Sequence, residues 1–276
     1  MTKEQNDTSV AAPEQADESA LELRYRTVVN GIPPRPIKLS VPGWAGESRA
    51  HGNGARPMPW HCQPFVDGST YGLELLYPYR TECRVSCDES GIQFEGDFAE
   101  ELAELQGMAK PFDRFAPHHY GLASCLDLLP PPGYALRLEP HPRFFTDTTG
   151  TVPLAVPGHL QRYWPRPFFV VFKAPPAGSV HVFRPGEPFA QVLLVRSTVK
   201  YRITEMEPET AQERATQDSI IGAFRFLLAK HIWRADSGNW FDDVYKQLGR
   251  RHRTQGDDGV REWLLSMRER ADRGQS

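Results

Sequence analysis

Between Pro36 and about Arg202 the chain is cut by proline and glycine into short apolar stretches, and this punctuation constrains the fold more than any other feature. "PIKLSVP" (36–42) is followed by "YGLELLYPY" (71–79), "ECRVSC" (82–87) and "GIQFEGDF" (91–98). "HHYGLASCLDLL" (118–129), "GYALRLEP" (133–140), "PFFVVFKA" (167–174), "SVHVFR" (179–184) and "FAQVLLVRSTVKYRIT" (189–204) supply the later runs. Each is the length of one or two strands. Their spacing, roughly 8–12 residues with turn signals between, is the pattern of a sandwich or barrel. Most prolines fall at the ends of these runs, where a missing N–H costs no ladder bond. No strand–helix alternation repeats, which argues against a doubly wound parallel sheet. The expected fold is mainly β: an antiparallel jelly-roll-like sandwich or barrel with a small C-terminal helical unit.

The pattern changes at both ends. Residues 1–30 are polar, acidic and poor in aromatics, the composition of a disordered arm. The β domain is expected over 31–205 and the helices over 206–272. Within the β region, Asp88–Gly91 reads as a hairpin turn and 98–108 as one short helix. Beyond Met206, Ile220, Phe224, Leu227 and Leu228 recur with helical period. Trp240, Val244 and Leu248 mark a second helix that stops at Gly249. Val260, Trp263, Leu264 and Met267 mark a third, capped by Asp257 or Asp258. These helices are expected to pack on the β core or on another copy of the chain.

Composition limits the function classes. The formal net charge is −3, so no global basic field points to nucleic acid; the many arginines are scattered along the chain, and no nucleic-acid partner is expected. No apolar run approaches a membrane span, so no membrane partner is expected either. The N-terminus has no secretory pattern, which leaves the cytoplasm as the expected location. Cys62, Cys83, Cys87 and Cys125 do not form a disulfide framework in such a context. Cys83 and Cys87, four apart on a strand, read as two small side chains on one face rather than a zinc knuckle.

"RPGEPFAQVLLV" (184–195) places Pro185-Gly186 at the centre of a type II turn between two apolar strands, a hairpin with Glu187 at its end. Glu187 is then either a hydrogen-bonded turn carboxylate or an acid/base group at a barrel mouth. Within this run Gly186, Glu187, Ala190 and Gln191 resemble the late strand of dUTPase-like folds, over about ten residues. The Arg-Ser-Gly phosphate loop, the Gly-x-Ile-Asp segment and the Gly-rich phosphate-binding tail of that family are missing. The resemblance therefore implies a related β topology rather than dUTP hydrolysis. More broadly, "HCQPFVDGSTYGLELLYP", "PPGYALRLEP" and "RPFFVVFKAPPAGSVHVFRPGEPFAQVLLV" resemble a family of uncharacterised bacterial β-sandwich proteins over roughly 57–200. That resemblance implies a shared sandwich and no particular activity.

Candidate chemistry rests on histidines and carboxylates in the β region. Metal-dependent jelly-roll enzymes draw two or three His and a carboxylate from neighbouring strands. Here His118, His119, Glu139, His141, His181 and Glu187 are the candidates. Glu139 and His141 would share a strand face, the arrangement of two ligands to one metal. A divalent transition metal held by a subset of His118, His119, His141 and Glu187 is the cofactor expectation. Trp60 and His61 join the candidate pocket from "RPMPWHCQPF" (56–65). His61 and Cys62, adjacent on a strand, would face opposite ways, which argues against a Cys–His nucleophilic pair. Gly-x-Ser-x-Gly, P-loop and Gly-x-Gly-x-x-Gly signatures are absent, so no nucleotide cofactor motif is present. "GRRHR" (249–253) reads as positive charge at a helix end. Two functions follow: a small-molecule-binding β protein, in one version a metal-dependent enzyme acting on a small polar substrate, or a non-catalytic assembly module using the C-terminal helices, with homo-oligomerisation through them.

Overall fold

The computed structural model describes residues 20–38, 62–105, 110–145, 147, 149, 151–234 and 238–273. Trp60 and His61 lie outside the described residues. The elements run β1 (Arg24–Thr27), β2 (Arg35–Pro36), α1 (Gln63–Ser69), β3 (Leu73–Leu76), β4 (Cys83–Asp88), β5 (Gly91–Glu95) and α2 (Ala99–Leu105). There follow β6 (Phe112–Ala116), β7 (His119–Ala123), β8 (Leu126–Leu129), β9 (Tyr134–Pro140), β10 (Gly158–Gln161), β11 (Phe169–Lys173), β12 (His181–Phe183) and β13 (Pro188–Arg196). The chain ends with α3 (Pro208–Leu228), β14 (Ile232–Arg234), β15 (Trp240–Asp242) and α4 (Val244–Asp272). The protein is mainly β, and every strand pair among the described residues is antiparallel, as the punctuation predicts.

Three sheets share one core. The largest has the order β10-β9-β13-β3-β2; β11-β7-β6 and β12-β4-β5 are the others. Leu75, Leu136, Leu138, Ala190 and Val192 face inward from the first sheet. Tyr120, Leu122, Val170 and Phe172 face inward from the second, and Cys83, Val85, Ile92 and Phe183 from the third. Tyr77, Phe112, Tyr120, Phe172 and Phe183 form a connected aromatic cluster with centroid separations of 5.3–6.3 Å. Such rings carry the largest apolar areas a side chain can bury, so they dominate the stability of this core. The helices close around a smaller cluster of their own: Ile220, Leu228, Val244 and Leu264. No helix among the described residues is long and apolar enough to cross a membrane.

Several expectations are corrected. β1 lies inside the stretch assigned to the polar arm: all four of its residues are exposed, and it is held by its ladder to β8 and by the Arg26–Asp127 ion pair at 2.9 Å. Pro185-Gly186 does form the tight turn, with the Glu187 N–H donating to the Arg184 carbonyl at 3.0 Å and Gly186 at φ 71°. The turn is not a hairpin, however. β12 pairs with β4, and β13 pairs with β3 and β9, so the turn passes the chain from one sheet to another. The alternation of "STVKYRIT" has no partner strand among the described residues, and β13 ends at Arg196; Tyr201 and Ile203 are left 85% and 94% exposed. Trp240 sits on a strand rather than on the second helix. α4 runs through Gly249 and breaks at Gly256, where φ 66° and ψ −169° suit glycine alone.

Candidate functional site

Two of the candidate histidines meet at one recess of about 740 Å³. The β4–β5 hairpin brings Cys87, Asp88 and Glu89 to it; its turn is set by Asp88, whose carboxylate accepts the Ser90 N–H at 2.8 Å and the Ser90 hydroxyl at 2.6 Å. Val152 and Leu154 form one apolar wall, fixed by the Ala155–Phe172 bridge beside β11. Pro175, Pro176 and Ala177 form the other, turned by Gly178 at φ 79°. His118 is exposed at the rim, where its carbonyl accepts the Ala174 N–H at 2.9 Å. Lys173 is exposed beside it.

His181 also lines the recess, from the first position of β12, and is only 4% exposed. Its Nδ1 lies 2.8 Å from the hydroxyl of the fully buried Tyr120. Burial pushes the Tyr120 phenol well above its ordinary range, so it keeps its proton, and it pushes the His181 imidazole down to about 4, so the ring is neutral near pH 7. A buried hydroxyl proton needs an acceptor, and among the described residues Nδ1 is the one within reach. Tyr120 therefore donates to Nδ1, and Nε2 carries the ring's proton. Nε2 has no partner among the described residues. His181 thus brings a neutral imidazole with an unpaired N–H to the lining of a recess that is otherwise largely apolar.

His141 is used differently. It is 1% exposed, caps a short 3-10 turn (Pro142–Phe144), and its Nδ1 accepts the Arg143 N–H at 3.1 Å. Its Nε2–H donates to Glu74 at 3.2 Å. Desolvation outweighs the pull of Glu74 and holds its pKa at about 4. Both ring nitrogens are therefore occupied. Glu74, 0% exposed, also accepts from Arg35 at 2.5 Å. The register places Arg35, Glu74, Gln191 and Glu139 in one polar row across four strands.

The structure does not unite Glu139 with His141. Glu139 accepts from Arg137 at 2.6 Å, while β9 ends at Pro140 and the chain turns at His141. Glu187 accepts from Arg143 at 3.1 Å, which fastens the turn between sheets to the segment after β9, beside a small cavity of about 180 Å³. This is the hydrogen-bonded turn carboxylate of the two alternatives. His119 is half-buried in β7, opposite Lys173. Among the described residues no three His, Cys, Asp or Glu side chains are placed to hold a metal ion, so the expected subset of His118, His119, His141 and Glu187 is not assembled. The physical reason is that His141 and Glu187 are spent on structural hydrogen bonds.

Cys83 and Cys125 are buried, and burial pushes the Cys83 thiol up to about 12, which makes it inert. Sequence reasoning missed Tyr120, Lys173, Glu74 and Arg143. Glu74 carried a signal, a carboxylate inside the apolar strand "LELL"; the other three carried none.

No family model and no curated protein matches the chain. Among solved structures it is similar to the dUTPase of Staphylococcus aureus phage phi11, at 9% identity and a TM-score of 0.35, over 67% of this chain and 96% of that one. The dUTPase of Staphylococcus bacteriophage 80alpha gives 8% identity and 0.36, over 67% and 96%. The dUTPase of EIAV gives 12% and 0.29, over 50% and 84%. Similarity this weak bears on no activity, and the chemistry of the site rests on its own residues.

Proposed function

We propose that the protein binds a small molecule in the recess over His181, one with a compact, mostly apolar body and a carbonyl-type hydrogen-bond acceptor. The observation that carries this reading is the imidazole of His181, 4% exposed, lining a recess of about 740 Å³ and with no partner for Nε2 among the described residues. That volume lies within the range of small-molecule sites, which are mostly apolar with few convergent polar groups. An acceptor on the ligand would satisfy the donor, and the walls formed by Leu154 and Pro175–Ala177 would cover the body. A ring with Nδ1 occupied and Nε2 protonated cannot take a proton at neutral pH. It can bind, or polarise, a carbonyl oxygen. Lys173, His118, Asp88 and Glu89, which also line the recess, would orient polar substituents.

The test is a panel of aromatic amides and lactams, screened by saturation-transfer NMR against the wild type, Leu154→Glu and His181→Phe. Leu154 is 46% exposed, so the charge is tolerated by the fold while it obstructs the wall. Binding should vanish in Leu154→Glu and weaken about fivefold in His181→Phe, the worth of one neutral hydrogen bond. Equal binding to all three proteins, or none to the wild type, would overturn the reading.

A second reading, an assembly surface on the helical unit, draws on one observation. Phe226 and Trp240 pack against each other at 6.4 Å while remaining 65% and 51% exposed, next to Leu227 at 65%. Trp263 is not part of that surface, being half-buried beneath Arg251 at 4.6 Å.

A further inference from the structure

Three of the arginines that look scattered along the sequence, Arg162, Arg166 and Arg196, fall at one end of the five-stranded sheet. β9 starts, β13 ends and β10 ends at the same end of the five-stranded sheet: Tyr134 is in register with Arg196, and Ala135 with Gln161. Three stretches without any Asp or Glu meet there, residues 128–138, 148–186 and 188–204. Backbone and side-chain bonds join them: Ser197 N–H to the Gly133 carbonyl at 2.9 Å, and the Gln161 amide to the Ser197 carbonyl at 3.4 Å. Arg162 donates to the Pro130 carbonyl, and the Trp164 N–H to the Gln161 carbonyl at 3.1 Å.

The result is a fixed turn, "RYWPR" (162–166), that holds Tyr163 81% exposed and Trp164 46% exposed. Arg166 lies 5.9 Å from the Trp164 ring and Arg196 lies 4.9 Å from the Tyr134 ring. Among the described residues Arg162, Arg166 and Arg196 form no ion pair with an acidic side chain. A protein of net charge −3 therefore carries one end with unneutralised guanidiniums and exposed rings.

We propose that this end of the sheet binds single-stranded nucleic acid. Phosphates would sit against Arg162, Arg166 and Arg196, and unpaired bases would stack on Tyr163 and Trp164. Stacking on aromatic faces between guanidiniums is the sequence-tolerant way in which proteins hold single strands. A duplex hides its base faces and could not use the rings. An anionic membrane would also meet the positive charge; the turn itself offers only the rings of Tyr163 and Trp164, while the exposed aliphatic residues Val199 and Ile203 lie beyond the end of β13, and the vesicle measurement below separates the two. This proposal is independent of the recess over His181.

The test is fluorescence anisotropy with labelled oligothymidine and oligouridine, beside co-sedimentation with phosphatidylserine-containing vesicles. Three phosphate contacts on a single strand give a log–log salt slope of about −2, a loss of roughly twentyfold between about 50 and about 200 mM salt. Arg166→Ala should flatten the slope by about 0.7, and Tyr163→Ala should weaken binding at least roughly fivefold. Both side chains are solvent-exposed, and thermal melts that match the wild type will separate lost contacts from lost folding. No binding of either oligonucleotide, binding unaffected by both substitutions, or binding to vesicles alone would each overturn the proposal.

Discussion

Acid should destabilise this protein through two histidines, and His181 is the one whose share can be isolated. His181 and His141 both have pKa values of about 4 in the folded chain against an ordinary 6.5, because each is buried. The depressed value means that the unfolded chain takes up the proton first. The contribution is therefore fully present above pH 6.5, falls as the pH drops, and is exhausted near pH 4. A shift from 6.5 to about 4, at ~1.4 kcal/mol per unit, corresponds to about 3 kcal/mol per histidine over the whole window. Between about pH 7 and about pH 5 each should cost about 2 kcal/mol. His181→Phe removes one of these. The variant will also be less stable at every pH, since Tyr120 loses its acceptor, so the quantity to compare is the change with pH. Urea unfolding followed by circular dichroism should show a loss between these pH values about 2 kcal/mol smaller in the variant. Identical losses in both proteins would mean that His181 is hydrated and protonated in the fold, and the neutral donor of the recess would go with it.

Two further outcomes follow from the same geometry. Glu74→Leu should cost about 1–3 kcal/mol, because the neutral His141 is left with a buried Nε2–H that has lost its acceptor while Arg35, 45% exposed, can reach water. Adding His141→Leu should recover part of that loss in chemical denaturation, and a purely additive double variant would show that the pair is not coupled. Phe226→Ser with Trp240→Ser should shift any self-associated species to the monomer in sedimentation velocity without lowering the melting temperature; an unchanged distribution removes the assembly reading.

The β character of the chain was legible because strand length, alternation and proline placement are local properties. "ECRVSC" and "GIQFE" with "DESG" between them determine a hairpin wherever they lie, and β4–β5 is that hairpin. The turn at Pro185-Gly186 was equally legible, since a left-handed φ is a demand made on one residue. What it connects was not. "HVF" and "PFAQVLLVR" look like two arms of one hairpin, yet each finds a longer-range partner, β4 for the first and β3 and β9 for the second. Local apolar pattern says that a strand will be buried, but the choice of neighbour is made by the packing of the whole core.

The site shows the same division. Histidine and glutamate are readable as chemistry from their identity alone, so His118 and His181 were candidates along with His141, Glu139 and Glu187. Their fates were decided by who stands next to them. His141 meets Glu74 and the Arg143 N–H and is consumed; His181 meets Tyr120 through Nδ1, and its Nε2 has no partner among the described residues. Arg162, Arg166 and Arg196 show it again, because no window of sequence contains all three with Tyr134. The sequence by itself determined that this chain forms short antiparallel strands with tight turns and ends in amphipathic helices, because those follow from each residue's own backbone and side-chain preferences. Only the tertiary structure decided which polar groups are satisfied, which donor faces a recess and which charges share a surface, because those depend on distances between residues far apart in the chain.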